Sequence, residues 1–168
     1  WTSVGRHVEA EVLRRSGEVR RPLALVRRSV AQQPGSSLAE VGAQRTLVQA
    51  LLSDGDLAAA RRAAEALLET TLLQHIPSAV ACSTAALVEA AGGSFAAARR
   101  YCESALDSLG NGDRTGLGRG TAMHLAVVCA VAGDVDGARR AASWCEQVSP
   151  AVDGWPGMNP RLARAAVQ

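Results

Sequence analysis

Gly17-Glu18-Val19, Gly55-Asp56-Leu57, Gly93-Ser94-Phe95 and Gly133-Asp134-Val135 are four versions of one short phrase. Its glycines stand 38, 38 and 40 residues apart, and Pro22, Ala60, Ala98 or Ala138 follows five residues after each. A period of that length belongs to a repeated supersecondary unit rather than to a domain. Upstream of Gly55, Leu38, Val41, Leu47, Val48, Leu51 and Leu52 fall on one broad apolar face at helical spacing. Downstream, Leu57, Ala60, Ala64, Leu67 and Leu68 do the same. The glycine between them admits φ > 0, which ends the first helix and turns the chain back. The next residue in three of the phrases, Asp56, Ser94 or Asp134, offers an N-cap oxygen to the second helix. Each unit therefore reads as a helical hairpin.

The first helices are expected at 3–16, 37–53, 77–91 and 118–132, and the second at 18–32, 56–72, 94–109 and 134–148. Pro34-Gly35-Ser36-Ser37, His75-Ile76-Pro77-Ser78 and the glycine-rich residues 110–120 break the chain between units. Asn159-Pro160 resembles the cap and first residue of a ninth helix. The repeats then run over about 3–34, 37–75, 77–112 and 118–150, with a partial fifth at 159–168, in a single repeat domain. The next turn glycine would fall near 171, and the chain opens at Trp1, so a fragment of a larger protein is expected. One hairpin cannot bury its own apolar face, whereas stacked hairpins share a continuous core. Ala60, Ala98 and Ala138 should mark the close crossings.

Composition agrees with an all-α chain. The 168 residues include 33 alanines, 16 glycines and five aromatic residues, a balance that favours helix over sheet. All 18 basic residues are arginine, a usage that fits a high-GC bacterial gene, and the net charge is +2. That charge alone implies neither nucleic acid nor an anionic membrane as a partner. The longest uncharged apolar stretch, 72–88, contains Gln74, His75 and Pro77, and nothing reaches the ~20 apolar residues of a membrane span. With no signal peptide visible, the expected location is cytoplasmic. Cys82, Cys102, Cys129 and Cys145 show no CxxC spacing and read as buried reduced thiols, with Cys129 expected to face Cys145 in the last full hairpin.

The glycine-acidic pair, the apolar residue two after it and the small residue five after it resemble the tetratricopeptide repeat. Ala10, Val48, Ala86 and Ala126, seven before the glycine, and Ser29, Leu67, Ala105 and Cys145, twelve after it, agree in part with the family's small positions. The period is four to six residues longer than that family's, its aromatic positions are mostly aliphatic or alanine here, and Pro22 replaces a small residue. Long alanine- and arginine-rich repeats of this kind look like the repeat segment of large LuxR-type, maltose-regulator-like bacterial transcriptional regulators. There such a segment lies between an ATPase module and a helix-turn-helix. The resemblance implies a right-handed superhelix of stacked antiparallel hairpins, an α-solenoid.

Catalytic motifs are absent from the sequence. Without lysine there is no Walker A motif, and no GxGxxG follows a strand. The glycines of 110–120, with Arg114 and Arg119, could cradle a phosphate. An extended inter-repeat loop is the plainer reading, and it accounts for the 40-residue spacing. His7, His75 and His124 are far apart and suggest no metal site. The expectation is a non-enzyme without a cofactor. Arg61-Arg62, Arg99-Arg100 and Arg139-Arg140 recur at equivalent positions and would form a ridge. Such a ridge would touch an acidic partner or, more simply, face solvent with Arg61–Glu65 and Arg99–Glu103 as i,i+4 pairs.

The tetratricopeptide resemblance also implies that the first helices line a concave groove, at positions thirteen, ten, six, three and two before each glycine. The residues singled out there are His7, Glu11 and Arg14 in the first repeat, Arg45 and Gln49 in the second, Ser83 and Leu87 in the third, and Met123 and Val127 in the fourth. The first two repeats present a basic, hydrogen-bonding surface and the last two an apolar one. Arg45 and Gln49, one turn apart, could together grip a carboxylate or an amide. The expected occupant is a protein, a peptide or partner helix, or a small amphipathic effector. No direct contact with nucleic acid or membrane is expected, and homo-oligomers through the repeat faces are possible. A general scaffold unconnected with transcription is the alternative.

Overall fold

A computed structural model describes residues 24–28, 38–73, 79–110 and 116–147. The expectations for Gly17, Pro22, His7, Glu11, Arg14 and the helix at 159–168 lie outside these residues. Among the described residues every regular element is a helix. After a helical stretch at 24–28 come α1 (Leu38–Ser53), α2 (Leu57–Leu73), α3 (Ala79–Ala91), α4 (Phe95–Gly110), α5 (Gly116–Val131) and α6 (Val135–Gln147). The glycine-rich segment is less of a loop than its composition indicates. Helix α4 runs through Gly110 and α5 begins at Gly116, so residues 116–120 are helical. The buried Thr121, Ala122 and Leu125 that follow supply packing that outweighs the poor helix propensity of three glycines.

The recurring phrase is a turn of one construction. Gly55, Gly93 and Gly133 have φ of 81°, 76° and 72°, a region that costs a residue with a Cβ roughly 1–2 kcal/mol. In the second unit Gly55 N donates to Leu52 O at 3.1 Å and Asp56 N to Leu51 O at 3.0 Å. In the third, Gly93 N donates to Ala90 O and Ser94 N to Glu89 O, and in the fourth Gly133 N donates to Ala130 O and Asp134 N to Cys129 O. These paired bonds form a Schellman motif, which satisfies the last carbonyls of the first helix. The residue that closes it also opens the second helix. Asp56 Oδ1 accepts from Ala59 N and Asp134 Oδ1 from Gly137 N, both at 2.9 Å, as N-caps do.

The chain divides into two compact units, residues 1–76 and 77–168. In the first, α1 packs on α2. In the second, α3 packs on α4 and α5 on α6, while α5 also lies against α3 and α4. The same repeat positions are buried in each described hairpin: Ala43, Ala81 and Thr121; Val48, Ala86 and Ala126; Ala50, Val88 and Val128; Ala60, Ala98 and Ala138. The hydroxyls of buried Thr46, Thr71, Ser83 and Thr84 are satisfied within their own helices. Thr46 Oγ1 donates to Gly42 O, and Ser83 Oγ and Thr84 Oγ1 both donate to Val80 O.

Among the described residues, Arg99 and Trp144 each tie the hairpins of the second unit together through a backbone carbonyl. Arg99 Nε on α4 donates to Ala132 O at the end of α5 at 2.8 Å, and Trp144 Nε1 on α6 donates to Leu109 O at the end of α4 at 3.2 Å. Both donors reach carbonyls at helix C-termini, where unpaired acceptors and the negative end of the dipole coincide. Arg99 was expected to pair with Glu103 on its own helix; the neighbouring turn to which its Nε donates was not visible from spacing along one helix.

Candidate functional site

The first helices carry the candidate face. On α5 the apolar side chains Met123, Val127 and Val131 recur every four residues, a spacing that sets them along one side of a helix. Met123 is half-buried, whereas Val127 is 43% and Val131 61% exposed. Neighbouring α3 carries Leu87, half-buried, and Ala91, exposed, at the positions equivalent to Val127 and Val131. Val135, at the start of α6, is also exposed. The described groove positions of this unit carry no charge.

Ser83 takes no part in that face. It is fully buried and its hydroxyl is spent on Val80 O, so it belongs to the core. Its placement follows from the burial of nearly all of α3 between Ala79 and Val88, Leu87 excepted.

In the first unit Arg45 and Gln49 are half-buried and one turn apart on α1. Arg45 already has an interaction within the protein. A second polar group on the same helix escaped the sequence reading. Gln44 Nε2 lies 3.5 Å from Glu40 Oε1 and 3.4 Å from Thr70 Oγ1 of α2, while Glu40 Oε2 and Gln44 Oε1 are shielded and accept no hydrogen bond. The four-residue spacing of Glu40 and Gln44 was visible; their turn toward α2 was not.

The described cysteines are buried thiols, one of which has a partner in the preceding hairpin. Cys82, Cys102 and Cys129 are buried and form no disulfide, and Cys129 hydrogen-bonds with Cys102 on α4; the expected pairing with Cys145 lies outside the described side chains. The hydrogen bond with Cys102, followed by burial, drives the Cys129 thiol far above its ordinary range, against a smaller opposing pull from Arg140. The protonated thiol is therefore the stable form. Among the described residues no group of three or more His, Cys, Asp or Glu side chains converges as a metal site would require. No described helix is long and apolar enough to cross a membrane.

Compared with family models, curated proteins and solved structures, the chain matches none.

Proposed function

We propose that the chain is a non-catalytic, cytoplasmic helical-repeat domain whose hairpins stack as an α-solenoid and whose first helices receive a partner. The observation that carries this reading is the row Met123, Val127 and Val131 on α5, with two large apolar side chains substantially open to solvent. Exposed apolar side chains aligned on one face mark interaction surfaces more often than scattered ones do. An amphipathic helix fits such a row by laying its own apolar stripe along it. Arg45 and Gln49 on α1 belong to the other unit and are proposed separately as a contact for a carboxylate or amide.

A narrower proposal follows from the resemblance to LuxR-type regulators: the segment senses an effector or assembles the regulator. A helix-turn-helix encoded downstream of Gln168 would support it, and its absence there would favour a general scaffold.

The binding reading is tested by fluorescence anisotropy with a tiled panel of labelled amphipathic helical peptides ending in a free carboxylate. We expect at least one to bind, and Val127→Glu with Val131→Glu to weaken it at least tenfold while leaving the circular dichroism spectrum unchanged. Equal affinity in the double variant, or no binder in the panel, would overturn the reading.

A further inference from the structure

The joint between α4 and α5 carries a feature that partner binding does not use. The Arg99–Ala132 hydrogen bond, at 2.8 Å, fixes how these two helices face each other at one end. One turn further along α4 stands Cys102, and one turn back along α5 stands Cys129. Both are wholly buried, and their thiols hydrogen-bond each other. The same helical steps carried further along each helix reach Ala105, Leu106 and Leu109 on α4 and Ala126, Leu125 and Ala122 on α5, all buried. The register of the whole interface thus sets the two sulfurs opposite one another, on helices of two different hairpins.

We propose that Cys102 and Cys129 form a reversible disulfide that staples the α3–α4 hairpin to the α5–α6 hairpin in response to a small disulfide oxidant. In the first step the thiolate of one cysteine attacks the oxidant RSSR, giving a mixed disulfide and releasing RS⁻. In the second, the other cysteine attacks the protein sulfur of that mixed disulfide, closing the Cys102–Cys129 bond and releasing a second RS⁻. The protons of the two protein thiols end on the two RSH molecules, and the protein's two-electron oxidation matches the oxidant's two-electron reduction.

Burial governs the rate. Neither sulfur is accessible in the closed joint, so the oxidant reaches them only when α4 and α5 part. Once closed, the bond holds together the helices that flank residues 111–115. It thereby fixes the angle at which α5 presents Val127 and Val131.

The test uses the whole chain and hydroxyethyl disulfide as oxidant, followed by alkylation and tryptic mapping without reduction. Arginine cleavage places the four cysteines in four different peptides, with Cys102 in 101–114 and Cys129 in 120–139. Expected are a covalent 101–114/120–139 pair formed in the folded protein and a rise in melting temperature of roughly 5–10 °C. Dithiothreitol should abolish both, and Cys102→Ser should show neither. The mapping needs no variant, so a poorly folded Cys102→Ser leaves it intact. Links that instead join Cys82 or Cys145, or thiols at 102 and 129 that stay unlinked while folded and pair only in urea, would overturn the proposal.

Discussion

At the scale of single residues, the three turn glycines separate two physical demands. A Cβ added at Gly93 would meet nothing within 4 Å, so only its φ of +76° opposes substitution. At Gly133 the same atom would lie 2.9 Å from Arg99 Nη2. Gly93→Ala should therefore cost about 1–2 kcal/mol from backbone conformation alone. Gly133→Ala should cost more, and the excess should disappear in an Arg99→Ala background. A double-mutant cycle from urea unfolding measures that coupling, and additive effects would show that Arg99 does not hold the turn. Cys129 gives a second prediction. Its native pKa is raised above the ordinary 9.0, so the native thiol stays protonated while the unfolded one ionises. The stabilising contribution is present in full below about pH 9 and is lost as pH rises beyond it, with a limiting slope of about 1.4 kcal/mol per pH unit. Unfolding free energies followed from pH 7 to 10.5 should decline less steeply above pH 9 in Cys129→Ala than in the native protein.

At the scale of helices, small residues set how closely the hairpins close. Ala98 is wholly buried at the position that Ala60 and Ala138 occupy in the other described repeats. Ala98→Leu should destabilise by ~1–3 kcal/mol through overpacking, and an unchanged thermal midpoint would contradict this register. The helices themselves were legible in the sequence because every determinant is local. Gly55, Gly93 and Gly133 end one helix, Asp56 and Asp134 cap the next, and the bounds of α1 to α6 fall within two residues of their expectations. Contacts between elements were not legible, because period alone does not say which neighbour a side chain meets. Arg99 passes to the turn after α5, Trp144 reaches back to α4, and Cys129 meets Cys102 of the preceding hairpin. The candidate face was readable by counting from the glycines as far as Val127 and Leu87. Ser83 obeyed the same count and proved to be core, since a register gives direction but not depth.

At the scale of the molecule, the two units divide the proposed chemistry between them. The first holds the polar pair Arg45 and Gln49, and the second the uncharged row on α3 and α5. The arginine doublets of the second unit lie on its second helices, and of these Arg99 reaches the end of α5, at Ala132 O beside Val131. Arg139 pairs with Asp136 at 3.3 Å with both side chains largely exposed, an ion pair worth little to stability. The most direct test of the central claim is the backbone chemical-shift map of the isotope-labelled chain with a bound peptide from the panel. The predicted result is a set of perturbations concentrated along α3 and α5 around Leu87, Ala91, Met123, Val127 and Val131, with the arginine side of α4 and α6 at Arg100, Arg139 and Arg140 unmoved. Perturbations concentrated on that arginine side would contradict it.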